Sequence, residues 1–168
     1  MTAPYRVEIL GKHSRDGFDC GNEALNEYLC RRANQDQRKR FAVCYLLIEA
    51  TTDQIVGYYT LSSGGVSLAD LPPQRQKGLP RYPSVPIARI GRLAIAKSEQ
   101  ERGLGGVLLF DAIKRASASS MGVYAVLVDA IDEQAVRFYQ HHSFEVLESN
   151  PRILFLPIAD GLKRITKS

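Results

Sequence analysis

The sequence predicts a single α/β domain (α+β mixed) built on a mixed sheet, and three observations carry that expectation. The chain has 168 residues, enough for one domain with a sizeable core and too few for two ordinary ones. Hydrophobic residues make up 45% and charged residues 24%, ordinary globular values that exclude a disordered tail, a collagen and a disulfide scaffold. Short β-rich runs alternate with stretches of helical apolar spacing in the order β-α-β-β-β-α-β-α-β-β, with no internal repeat, low-complexity segment or linker. The domain is expected to span 1–168, with its core at about 5–157.

Tyr5 to Leu10 alternates as a first strand. Phe18-Asp19-Cys20-Gly21-Asn22 is a turn in which Asp19 or Asn22 can cap the next helix. Leu25, Tyr28 and Leu29 give that helix an apolar stripe, and it runs to about Arg38. Phe41–Glu49 and Ile55–Leu61 read as an antiparallel hairpin around Thr51-Thr52-Asp53-Gln54. Ser62 to Pro86 holds five of the eight prolines and reads as a long loop, with room for a short helix before Pro72. Ile87–Ala96 is a strand, Gln100–Gly106 a glycine-rich turn, and Val107 to about Ser119 a helix with Leu104, Val107, Leu108 and Ala112 on one side. Val123–Ala130 is an apolar strand of the kind buried on both faces. Asp132 can cap a helix to about His142, and Phe144–Leu147 and Ile153–Leu156 are final strands.

The net charge is +4, but the basic residues are clustered. Arg31, Arg32, Arg38, Lys39 and Arg40 face one acid, Asp36, and Arg75, Lys77, Arg81, Arg89 and Arg92 lie in a stretch with none. One such cluster reads as a solvated face; two in a small domain favour a polyanionic partner. Three cysteines, Cys20, Cys30 and Cys44, without C-x-x-C spacing suggest reduced, buried thiols in a cytosol. No histidine lies at metal-ligand spacing from them, so no metal is expected. The longest apolar run, Phe41–Ile48, has strand length, and the opening Met1-Thr-Ala-Pro has no signal pattern. The expectation is a cytoplasmic protein without membrane attachment.

The segment Leu93-Ala-Ile-Ala-Lys-Ser-Glu-Gln100-Glu-Arg-Gly103-Leu-Gly105-Gly106 is a strand running into a glycine-rich turn that opens a helix. Such a turn aims consecutive N–H groups and the helix dipole at a phosphate. The P-loop pattern fails, and the dinucleotide pattern breaks at Leu108. What remains, Gln100-x-x-Gly103-x-Gly105, leaves open a purely structural helix start.

That spacing resembles the coenzyme A pyrophosphate loop of the GNAT acetyltransferase superfamily. Asp132-Glu-Gln-Ala135-Val-Arg-Phe138-Tyr139-Gln-His-His-Ser143-Phe144 resembles the last helix and following strand of the same superfamily. Asp132 stands where Asn is common and Ser143 where Gly is common. Phe18–Leu29, Ile55–Leu61, Leu79-Pro-Arg-Tyr-Pro-Ser-Val-Pro86 and Gly91-Arg-Leu-Ala94 resemble the GNAT toxins of bacterial toxin–antitoxin modules. The resemblance implies a GNAT fold with a mostly antiparallel twisted sheet flanked by helices. It implies acetyl-CoA as donor, the α-amino group of aminoacyl-tRNA as acceptor, a ribbon–helix–helix antitoxin as partner and a homodimer. The cofactor contacts it implies are Leu93, Ala94, Ile95, Gln100, Glu101, Arg102, Gly103, Leu104, Gly105, Gly106, Asp132 and Tyr139, with Tyr139 as general acid toward the CoA thiolate. Glu99, Glu101 and Asp129 are possible bases by residue type, yet none is required if the amine is already neutral. Arg81, Arg89 and Arg92, with Lys77, Arg38, Lys39 and Arg40, are the candidates for tRNA phosphates, and Arg92 could instead be structural. The competing functions are acetylation of a protein N-terminus or small amine, and a non-catalytic acetyl-CoA- or DNA-binding module.

Overall fold

The structure, a computed structural model, describes residues 4–167, the last three by their backbone; the Met1-Thr-Ala read above lies outside the described residues. The strands are β1 Tyr5–Ile9, β2 Val43–Glu49, β3 Ile55–Ser67, β4 Ser84–Ile95, β5 Ala125–Asp129, β6 Glu145–Leu147 and β7 Asn150–Pro157. They form a seven-stranded sheet in the order β1-β2-β3-β4-β5-β7-β6. β1–β2, β2–β3, β5–β7 and β6–β7 pair antiparallel and β4–β5 parallel, so the sheet is mixed and mostly antiparallel, as expected. The helices are α1 Glu23–Glu27, α2 Ala33–Arg38, α3 Pro73–Gln76, α4 Leu104–Ser117, α5 Glu133–His141 and α6 Ile158–Lys167. The chain divides into two compact units: residues up to Ser62 with Gly91–Asp111, and Ser63–Ile90 with Ala112 onward.

In the first unit Asn22 caps α1, accepting from the Leu25 N–H at 3.1 Å, while Asp19 caps the Gly21 amide instead. The helix does not run on regularly. A π-helical stretch, Tyr28–Arg32, joins α1 to α2. The widened turn leaves the Leu29 carbonyl to accept from Arg15 Nη1 at 3.0 Å. It also aims Tyr28 at Asp36, to which its hydroxyl donates at 2.7 Å. Leu29, Leu46, Ile48 and Tyr58 are wholly buried here, with Cys44 beside them. The three cysteines are not alike: Cys44 is buried as expected, Cys20 is half-buried and Cys30 is exposed on the π turn.

In the second unit the proline-rich segment is not one loop. β3 continues through Gly64 and Gly65 to Ser67. The glycines that suggest a loop are present because β4 comes close; a Cβ at Gly65 would lie 2.5 Å from Ser84 Oγ. A one-turn 3-10 helix, Leu68–Asp70, takes the place before Pro72 where a short helix was expected to fit, and a second short helix follows Pro72 with Pro73 in its first turn. β4 then starts at Ser84, three residues earlier than the apolar run suggests. Leu71, Val85, Ile87, Leu127 and Phe155 form this unit's core. The helix α6 was not expected. It carries Asp160, which pairs with Arg75 Nη2 at 2.8 Å, a contact no local pattern announces.

Candidate functional site

The glycine turn grows out of the end of β4. The parallel ladder with β5 covers Ile87–Ile90, and β4 continues beyond it through Leu93, Ala94 and Ile95. Ala96 N–H donates to the Val56 carbonyl at 2.8 Å, which holds that end of the strand to β3. A 3-10 turn, Lys97–Glu99, leads to Gln100. Gln100 Nε2 donates to the carbonyls of Ile95 and Cys20, each at 3.0 Å, so this side chain braces the turn from within. Arg102 Nη1 donates to Glu99 Oε2 at 2.8 Å, and the Tyr5 hydroxyl reaches the same oxygen at 3.4 Å. Glu99, a possible base by residue type, is therefore engaged in holding the loop.

Glu101 and Gly103 both have positive φ, 66° and 76°. That left-handed pair turns the chain sharply into α4. A side chain at Gly103 would meet no atom within 4 Å, so glycine is needed there for its φ rather than for space. The amides of Leu104, Gly105 and Gly106 precede the first bond of the helix ladder, Val107 N–H to the Gly103 carbonyl. They sit at the positive end of a 14-residue helix. Leu104, Leu108 and Leu109 are buried and anchor it, while Val107, expected on the inner side, is exposed. The arrangement suits a phosphate or diphosphate, because consecutive N–H groups converge without a side chain at two of the three positions.

Tyr139 lies on α5. Asp132 caps that helix as expected, accepting from the Ala135 N–H at 2.8 Å. Tyr139 is 8% exposed, with Phe138 edge-on at 5.1 Å and Phe144 tilted at 5.4 Å. Burial alone pushes its phenol above the ordinary tyrosine range. Tyr58 and Tyr59 are fully buried and their hydroxyls donate to the Leu25 carbonyl and to Asp111, each at 2.6 Å. Tyr124, read with them as a core side chain, is half-buried. Ser143, standing where glycine is common, takes φ 71°.

The basic candidates separate sharply. Arg31, Arg32, Arg38, Lys39 and Arg40 are exposed, as are Lys77 and Arg81, while Arg89 is half-buried. Arg92 lies with its guanidinium carbon 3.8 Å from the centroid of the Tyr28 ring, a packed cation–π contact. Arg75, counted among the possible phosphate ligands, is instead clamped between Glu145 and Asp160. Among the described residues no cluster of histidine, cysteine or acidic side chains could hold a metal ion, and no helix is long and apolar enough to cross a membrane.

One feature escaped the reading of the sequence. An open cleft of about 340 Å³ in the second unit is lined by Ser67, Leu68, Ala69, Gln76, Arg81, Tyr82 and Pro83. Tyr82 is 71% exposed. The signal was present in Pro80-Arg81-Tyr82-Pro83, an aromatic held between two prolines, but exposure is not written in the residues themselves.

Known proteins share this fold. The model of the acetyltransferase (GNAT) domain matches residues 10–153. A tRNA-acetylating toxin of Mycobacterium tuberculosis (strain ATCC 25618 / H37Rv) is 37% identical over 146 residues, 86% of each chain. The structure of AtaT complexed with acetyl-methionyl-tRNAfMet superimposes with a TM-score of 0.87 at 32% identity, covering 98% of this chain and 99% of that one. AtaT bound to the C-terminus of the antitoxin AtaR and acetyl-CoA gives 0.82 at 29% identity, with the same coverage. The turn that opens α4, the capped helix bearing Tyr139 and the match along most of the sequence converge: this chain belongs to the GNAT acetyltransferase family.

Proposed function

We propose that the chain, read as one acetyltransferase domain, is a toxin-type N-acetyltransferase that moves acetyl from acetyl-CoA to the α-amino group of aminoacyl-tRNA and so blocks translation. The observation that carries this reading is the 0.87 TM-score to AtaT in complex with acetyl-methionyl-tRNAfMet. When bound, acetyl-CoA supplies an activated acetyl thioester. The main chain of Leu93 and Ile95 pairs with the pantetheine as an added strand would, with Ala94 buried between them. The amides at 101–106 take the diphosphate, and Gln100 and Arg102 act by bracing that turn. Asp132 sets the start of the helix that carries Tyr139.

The amine attacks the thioester carbonyl, a C–N bond forms and the C–S bond breaks. The Tyr139 hydroxyl gives its proton to the departing sulfur, solvent takes the proton lost by the amine, and the Tyr139 phenolate regains a proton from solvent. A dedicated base is not required, because an α-amino group titrates near ~8 against ~10.4 for a lysine side chain. Arg81, Arg89, Lys77, Arg38, Lys39 and Arg40 steer the acceptor by its phosphates, whereas Arg92 acts through Tyr28. A ribbon–helix–helix antitoxin, a homodimer and a cytoplasmic setting complete the reading. Labelled acetyl-CoA incubated with the protein and charged tRNA tests it. Label is expected on the aminoacyl group, with binding that weakens steeply as salt rises. Label on a protein N-terminus or a free amine instead, or salt-independent binding, overturns it.

A further inference from the structure

We propose that the cleft at Ser67–Ala69 and Arg81–Pro83 is a stacking seat for an unpaired base of the acceptor's single-stranded 3′ end, with Tyr82 as its platform. The inference deepens the reading above and rests on it.

Four observations carry it. A tyrosine ring left 71% exposed is unusual for a side chain of that apolar area, and here it forms one wall of a cleft of about 340 Å³. That volume admits a nucleoside, and the cleft is open, as a site for a chain end must be. The wall is also held in place. Pro80 and Pro83 fix φ on either side of Arg81-Tyr82, the Pro83 carbonyl accepts from Leu68 N–H at 3.0 Å, and the Leu79 amide donates to the Gln76 carbonyl at 3.2 Å. The backbone that carries the ring is thereby restrained, which lowers the cost of seating a base on it.

The charge has the sign a phosphate backbone needs. Arg81 lines the same cleft, Lys77 is exposed nearby in sequence, and no acid occurs from Leu71 to Ser98. The nearest acid, Asp70, belongs to the 3-10 turn and is not among the lining residues. Finally, Arg75 is held by Glu145 and Asp160, so the free cation of this segment that lines the cleft is Arg81. An aromatic face beside an arginine is the usual seat of an unpaired RNA base, since every base offers a π-face whatever its hydrogen-bond edge.

An adenine could also come from the cofactor; the proposal commits to the RNA end, and the measurements separate the two. Tyr82→Ala is expected to raise KM for aminoacyl-tRNA by roughly tenfold or more, with KM for acetyl-CoA unchanged. Tyr82→Phe keeps the ring and recovers most of that loss. An unchanged acceptor KM, a Phe variant as impaired as Ala, or a rise confined to acetyl-CoA overturns the proposal. A second measurement does not depend on turnover. The chain has no tryptophan, so Tyr82→Trp installs a single indole reporter in it. Its emission is expected to be quenched by a cytidine-cytidine-adenosine trinucleotide; no quenching overturns the seat. If the wild type transfers no acetyl to tRNA while quenching occurs, the catalytic reading falls and the base seat stands.

Discussion

The two units of this chain use the same side chains for different ends. In the first, three tyrosines and Arg92 are committed to partners, while Arg31, Arg32, Arg38 and Arg40 stay exposed. Tyr28 is bonded to Asp36 and covered by Arg92, Tyr58 is bonded to the Leu25 carbonyl, and Tyr59 to Asp111. In the second, Tyr139 is buried against Phe138 and Phe144, Tyr82 stands in an open cleft with Arg81, and Arg75 is clamped by Glu145 and Asp160. The difference teaches that residue type alone does not mark a functional group. What marks it is whether the surrounding structure has already satisfied it.

The largest expected effect concerns the buried phenol of α5. Tyr139→Phe should lower turnover by roughly 10²-fold or more, the range of general acid catalysis, while melting temperature and acetyl-CoA affinity by calorimetry stay as they were. Unchanged turnover would remove Tyr139 from the chemistry and leave it a core side chain like Tyr58. Next comes the turn. Gly103→Ala should cost about 1–2 kcal/mol in the bound turn geometry from its positive φ, read as a fall in acetyl-CoA affinity. An unchanged affinity would mean the turn is only a helix start.

A paired measurement sharpens the contrast between arginines. Arg75→Ala leaves Glu145 facing Asp160 without their shared cation and should destabilise the fold by about 1–2 kcal/mol, with acceptor KM little changed. Arg81→Ala should do the reverse: stability within about 0.5 kcal/mol of wild type, acceptor KM raised. The same ranking in both assays would erase the distinction drawn here. The smallest effect concerns Ser143. Ser143→Gly relieves a φ of 71° at the loss of one exposed bond from Arg164. Denaturant titration should show a gain of about 0.5–1 kcal/mol.

Much of this was legible in the residues because it is local. The capping of α5 by Asp132, the order of strands and helices along the chain and the glycine turn before α4 follow from short-range backbone chemistry, where a few consecutive residues fix φ, a cap or a period. The glycines at 64–65 misled for the opposite reason. Locally they read as loop, and only the approach of β4 makes them strand. Val107 was likewise placed on the wrong face, because an apolar residue in the first turn gives no sign of which neighbours exist to cover it.

What the sequence by itself determined is the fold class, the glycine turn that opens α4 and the helix that carries Tyr139. Only the tertiary structure decided which charges and phenols remain available. Arg75 and Arg81 are six positions apart in one basic run, yet one meets Glu145 and Asp160 and the other lines a cleft. The physical reason is that pairing of charges is a long-range event: its partners lie 70 and 85 residues away, and no composition or spacing along the chain encodes a meeting in space.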